Sequence, residues 1–247
     1  MDNKVKKSVY NSVILKNNRK LAVLIDPGKQ DEDLLTETIK IASKAKVDFI
    51  LVGGSLVSGF VGDVVNIIKQ GTDIPVVLFP GNLMQLSDNA DAILLLSLIS
   101  GRNPEYLIGN QVLAAPYLKK CGLEIIPTGY ILIDTQCTSS VEYISNTKPV
   151  PADKPDLIVA TAIAGELMGN KIIYLEAGSG SRQIIDSNII AQVKKNISVP
   201  LIVGGGIKTR DDIRDIFLAG ADVIVVGSAV EEDPSIIKSF AEVAWLL

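Results

Sequence analysis

Eight short, β-rich apolar runs punctuate this chain, at residues 21–25, 49–52, 75–79, 92–96, 124–127 (with an extension towards 133), 171–175, 200–203 and 223–226. Most of them end in Gly, Pro, Asp or Ser. The runs are nearly continuous instead of alternating, which marks strands buried on both faces, as in a parallel sheet. Helical patterns fill the gaps, at 31–45, 59–70, 105–120, 156–168, 187–196 and 209–219. Acidic residues enrich the first turn of the 31–45 segment, and Thr209 with Asp212 reads as a capping box closed off by Gly220. Eight strands alternating with helices in about 250 residues predict an α/β chain folded as a (β/α)8 barrel. A doubly wound open sheet is the competitor, but its dinucleotide fingerprint is absent after the first strand, which ends in Asp26-Pro27-Gly28-Lys29. The expected organisation is one domain over 1–247. An N-terminal amphipathic helix (1–20, with Val5, Val9 and Val13 on one face) caps the barrel bottom, the core spans 21–233, and a last helix takes 234–247. The proline-marked stretch 135–154 reads as an elaborated strand-to-helix loop.

Composition removes several chemistries. The chain has no histidine, so Ser-His-Asp and Cys-His triads, imidazole bases and His-built zinc sites are excluded. Acid–base work falls to carboxylates, Lys, Tyr or Cys, and any metal site must be oxygen-rich. Cys121 and Cys137 form neither a CxxC pair nor a disulfide framework. A formal charge of −4 with scattered basic residues argues against nucleic acid as a partner. Neither a bilayer-spanning apolar stretch nor a signal peptide is recognisable, so a cytoplasmic location is expected.

In a barrel of this kind the chemistry belongs at the C-terminal ends of the strands. Glycine crowds those ends here: Gly53-Gly54-Ser55, Pro80-Gly81-Asn82, Glu176-Ala177-Gly178-Ser179-Gly180, Gly204-Gly205-Gly206-Ile207 and Gly227-Ser228. The clusters after strands 7 and 8 match the usual phosphate site of such barrels, where backbone amides approach the anion; tight turns are the plain alternative. Asp26 and Ser55 end adjacent strands, and a carboxylate with a hydroxyl suits Mg²⁺ shared with a phosphate. Helix capping accounts equally for Asp26. Glu176 is the candidate general base, with a salt bridge to Arg182 or a neighbouring Lys as its alternative, and Tyr174 shares its face of the strand. Tyr130 is left between core and rim.

These same strand ends resemble geranylgeranylglyceryl phosphate synthases. The resemblance rests on DPGK at 26–29, GGS at 53–55, FPGN at 79–82, NPEYLIGNQVLAAP at 103–116, NTKPVPADKP at 146–155, YLEAGSG at 174–180, GGGI at 204–207 and GS at 227–228. It extends from about Leu21 to Asp233, and the PADKP loop with YLEAGSG is its most specific part. What it implies is a Mg²⁺-dependent prenyltransferase that joins the 3-hydroxyl of sn-glycerol 1-phosphate to an isoprenoid diphosphate, with geranylgeranyl diphosphate as the donor. Carried over, Asp26 and Ser55 match the magnesium positions. Tyr174, Leu175, Glu176, Ala177, Gly178, Ser179, Gly180, Gly205, Gly206, Gly227 and Ser228 match the glycerol-phosphate site, with Glu176 as base. Family members often read DPDK or DPNK where this chain has Gly28. Further expectations are an apolar groove for the prenyl tail lined by 94–99 and 107–118, a homo-oligomer, and transient membrane contact for product delivery. Two other functions stay open at this point. One is a sugar-phosphate isomerase or lyase using Asp26 and Asp134; the other is a phosphate- or lipid-binding barrel without turnover.

Overall fold

The structure, a computed structural model, describes residues 8–16, 18–29, 31–57 and 59–247. Eight parallel strands close into a barrel in sequence order: β1 (Lys20–Ile25), β2 (Phe49–Val52), β3 (Val76–Leu78), β4 (Ala92–Leu98), β5 (Glu124–Leu132), β6 (Ile172–Glu176), β7 (Leu201–Gly204) and β8 (Val223–Val226). The ring closes where Val23 of β1 pairs with Val226 of β8. The expected barrel and the number and order of its strands are those observed.

Nine α-helices are defined among the described residues: α1 (Glu32–Lys44), α2 (Val61–Gly71), α3 (Asn110–Leu118), α4 (Ser140–Ser145), α5 (Pro155–Leu167), α6 (Ser187–Asn196), α7 (Arg210–Leu218), α8 (Ser228–Glu232) and α9 (Ile236–Leu246). Strand alternation divides the core in two. Outward side chains such as Val23, Ile50, Ile173, Leu175 and Val203 pack against the helices. Inward ones, among them Ala22, Leu51, Val77, Leu94, Ile126, Tyr174 and Ile202, fill the lumen. Each such aliphatic chain contributes roughly 1.5–3 kcal/mol when fully buried. Phe79, Tyr130 and Tyr174 cap this packing near the top. Tyr174 stacks on Phe79 at a centroid distance of 5.2 Å and lies 5.3 Å from Tyr130, so the lumen is plugged by rings.

At the bottom, a five-residue π-type turn (Tyr10–Ile14) covers the lumen, and Val9 and Ile14 are buried among its side chains. The Val9 amide binds the Glu124 carboxylate, and Tyr10 Oη donates to the Lys171 carbonyl, both at strand starts. The described part of the expected amphipathic helix is therefore this short turn; Val5 lies outside the described residues. Lys171 precedes β6 and does not belong to it. Among the described residues the strand lysine is Lys20, the first residue of β1, whose buried ammonium donates to the Lys16 and Asn18 carbonyls at the barrel bottom, the end away from the C-terminal strand ends.

Candidate active site

The residues that end the strands surround one polar cavity with about 1140 Å³ of empty space, part of it open to solvent. Asp26, Ser55, Tyr174, Glu176, Ser179, Gly180, Gly205, Gly206, Gly227 and Ser228 all line it. Three expected contributors do not. Leu175 is turned by the strand's two-residue period into the layer between sheet and helices. Ala177 is buried in that layer too, and its amide is spent on the Gly204 carbonyl. Gly178 gives its amide to Glu176 Oε1 at 2.7 Å, so it serves the carboxylate from behind.

Glu176 is only 6% exposed, and among the described residues no cation pairs with it; the alternative bridge to Arg182 is not formed. Burial pushes its carboxyl up to about 7, against the opposing pull of the Gly178 amide and the nearby Tyr174 and Tyr130 hydroxyls. Those two phenols are raised well above their usual value, first by burial and then by the Glu176 charge, and so stay protonated donors. Tyr174 Oη is fully buried yet has no hydrogen-bond partner of ordinary geometry. A buried, unsatisfied hydroxyl costs about 1–3 kcal/mol, which a ligand oxygen would recover.

Directly beside the carboxylate, Gly205 (φ +89°) and Gly206 (φ +72°) turn the chain in left-handed geometry after β7, and a Cβ at position 205 would lie 2.5 Å from Glu176 Oε1. Among the described residues nothing accepts a hydrogen bond from the Gly205, Gly206 or Gly227 amide. Free amides in a cavity wall form a nest for an anion. Side chains lock the flanking loop in place: Thr135 Oγ1 donates to the Ala177 carbonyl, and Ser181 Oγ bonds Thr135 Oγ1 and the Gln183 carbonyl.

Asp26 is not the cap of α1. Asp31 takes that role, its side chain accepting from the Leu34 amide. Asp26 Oδ1 accepts from the Gly28 amide at 3.0 Å, while Oδ2 faces Lys29 Nζ at 3.5 Å. Lys29 also reaches Glu231 at 3.3 Å. A side chain at position 54 would run into Asp26 Oδ2, its Cβ only 2.8 Å away, so Gly54 leaves room for the carboxylate beside Ser55. Mg²⁺ accepts one or two carboxylates and fills its other positions with water and phosphate oxygens, and this donor set fits it. Among the described residues no group of three or more His, Cys, Asp or Glu could hold a metal by itself.

Two residues to which the sequence reading gave no role build this site. Gln85, almost fully buried, accepts from the amides of Gly54 and Gly81, each at 3.1 Å, and donates to the Gly54 carbonyl at 2.7 Å. It ties the loop after β2 to the loop after β3. Phe79 forms the floor and lines a second space next door. Its position at a strand end, two residues from an inward Val77, was the available signal.

That second space is a groove of about 830 Å³, partly open, reached from the polar cavity past Gly54, Ser55, Phe79, Tyr130 and Val141. Leu83, Leu95, Leu98, Ala114, Leu118 and Ile144 are among its walls, and it is overwhelmingly apolar. The expected lining from 94–99 and 107–118 is present, joined by α4. Asp134 lines neither space; its carboxylate accepts from the Gln136 amide.

The PcrB family model matches residues 14–244 of the chain. The chain belongs to the PcrB family. Geranylgeranylglyceryl phosphate synthase of Spirosoma linguale is 48% identical over 230 residues, covering 93% of this chain and 92% of that one. The protein of the same name from Chitinophaga pinensis is 48% identical over 95% of this chain and 94% of its own length. Among solved structures, (S)-3-O-geranylgeranylglyceryl phosphate synthase from Thermoplasma acidophilum, in complex with sn-glycerol-1-phosphate, superposes with a TM-score of 0.90 at 31% identity. That match covers 98% of this chain and 99% of the other.

Proposed function

We propose that this PcrB-family chain is a prenyltransferase that joins the 3-hydroxyl of sn-glycerol 1-phosphate to C1 of geranylgeranyl diphosphate, forming an ether and releasing diphosphate. One observation carries this reading above all. A polar cavity with unused glycine amides and a neutral-range carboxyl opens directly into a long apolar groove, as a phosphate-bearing acceptor and a lipid donor require.

The Gly205, Gly206 and Gly227 amides, with Ser179, Gly180 and Ser228, hold the glycerol phosphate, and Tyr174 Oη donates to one of its oxygens. Bound this way, the 3-hydroxyl is fixed near Glu176, and such orientation contributes several kcal/mol of rate enhancement. The hydroxyl oxygen attacks C1 as the bond from C1 to diphosphate breaks with its electron pair; the hydroxyl proton passes to Glu176. A base with a pKa near the working pH is well matched to that transfer. Asp26 and Ser55 are the residues that hold Mg²⁺, which when bound supplies positive charge to the departing diphosphate oxygens. The prenyl tail leaves water for the groove, gaining roughly 0.8 kcal/mol per methylene-sized group. The isomerase alternative loses its second carboxylate, because Asp134 stands outside the cavity. Exposed Val112 and Leu113 on α3 and Leu157 and Leu167 on α5 support self-association of the chain.

The test is incubation of the protein with sn-glycerol 1-phosphate, labelled geranylgeranyl diphosphate and Mg²⁺. The expected outcome is a labelled ether lipid that vanishes with EDTA. Tight binding of both compounds without product would leave a carrier; binding of neither would end the proposal.

A further inference from the structure

The lip of the apolar groove is exposed, and it is both greasy and basic. Leu83 lines the groove, and its neighbour Met84 is 92% exposed; Ile144 lines the groove and is itself exposed, and Tyr143 beside it on α4 is 82% exposed. No charged residue occurs between Phe79 and Ser87. Next to α4, a shallow depression is formed by the segments 100–104 and 146–148, and it carries Arg102 and Lys148. Asn103 pins these segments together by donating to the Ser145 carbonyl, and Gly101 abuts Thr147. Both cations are exposed, and among the described residues neither has a carboxylate within ion-pair distance. The acids nearby are turned aside: Glu105 folds back over Gly109, and Glu142 is half-buried in the first turn of α4. On a chain of net charge −4, Arg102 and Lys148 thus stand as exposed cations outside any ion pair, next to exposed apolar side chains.

We propose that this lip docks on an anionic lipid surface. Met84, Tyr143 and Ile144 enter the interface, while Arg102 and Lys148 meet the acidic headgroups, so the groove opens onto the acyl layer from which a prenyl chain comes and to which it returns. Interfacial binding of this kind adds buried apolar area to headgroup attraction. The use of the groove rests on the prenyltransferase reading; the docking itself does not.

Vesicle flotation at low salt tests it, with the full chain and no substrate or metal. Vesicles of phosphatidylglycerol with phosphatidylcholine should carry the protein up. Pure phosphatidylcholine should carry much less, and raised salt should release it. R102Q/K148Q should lower partitioning roughly thirtyfold, the effect of removing two surface cations next to an anionic leaflet. M84S/Y143S should weaken binding at every salt concentration. Wild-type protein left at the bottom of the anionic gradient overturns the proposal, as does flotation indifferent to both double variants. So does a result in which M84S/Y143S changes the oligomeric state while no vesicle binds, since the lip is then an interface between copies. Turnover is measured in parallel with detergent-dispersed donor. Intact turnover without flotation defeats the docking alone, and flotation without turnover defeats the prenyltransferase reading alone.

Discussion

At the scale of single residues, Glu176 is the carboxyl that burial perturbs most among the described residues. It is held protonated near neutrality because burial outweighs the one strong amide bond from Gly178. Its folded-state pKa, about 7, lies above the ordinary 4.5, so burial favours the proton-bound form. The stability linked to that proton is fully present below pH 4.5 and is lost as pH rises through 7. Glu176→Gln mimics the protonated form. It should therefore be more stable than the parent by about 3 kcal/mol at pH 8, with the two denaturation curves converging towards pH 4.5. The same variant should lose on the order of 10² to 10⁴ in turnover while keeping its affinity for glycerol phosphate. In the parent, kcat/KM should climb with pH and level off above 7. Parallel loss of binding and turnover would recast Glu176 as a clamp on the substrate. The carboxylate was legible in the sequence because it ends a strand. Other parts of the site were less so: Gln85 looks like any surface glutamine until the chain folds it under the β2 and β3 loops, and Tyr130, which faces Glu176, is resolved as a buried wall only by the barrel's curvature.

At the scale of elements, the strands were legible and the loop between β5 and α5 was not. Continuous apolar runs bounded by breakers leave little freedom in placing β2 and β8, whose limits agree residue for residue with the pattern. The segment 105–120 reads as one helix and is continuously helical from 105 to 118, with a π-type opening (Glu105–Gly109) running straight into α3, which tolerates Pro116 inside it. Helix α4 is only six residues long, within a proline-marked stretch, and its signals are the Ser139 cap and left-handed Asn146. It nonetheless supplies Val141 to both spaces. The β7-to-α7 turn shows the opposite case, a loop whose proposed role, holding the acceptor's phosphate, is readable from its glycines. At Gly206, φ is +72°, and an added Cβ would lie 2.3 Å from the Gln183 carbonyl oxygen. Gly206→Ala must shift the backbone, and with it the amides around the anion. Losing one charge-assisted bond at about 1.5–3 kcal/mol predicts a roughly ten- to hundredfold weaker dissociation constant for glycerol phosphate by calorimetry. An unchanged constant would move the anion away from this turn.

On the scale of the whole molecule, the barrel solves a problem of two solvents. The lumen is plugged by the Phe79, Tyr130 and Tyr174 rings, so nothing passes through it, and the reacting groups gather on one rim. From that rim the polar cavity and the apolar groove lie side by side, with Phe79 and Tyr130 common to both, as the proposed charged acceptor and apolar tail require. Separation of this kind means that groove length and phosphate affinity should be independently adjustable. Ala114 stands in the groove wall on α3 and does not line the polar cavity. Ala114→Phe would place a ring where the tail runs. Displacing even two methylene-sized contacts at roughly 0.8 kcal/mol each predicts a tenfold or greater rise in KM for the C20 donor. A C10 donor should be used nearly as well as by the parent, and glycerol-phosphate affinity should hold. Equal losses on long and short donors would show that the tail lies elsewhere, because a shortened groove penalises only what reaches its blocked end.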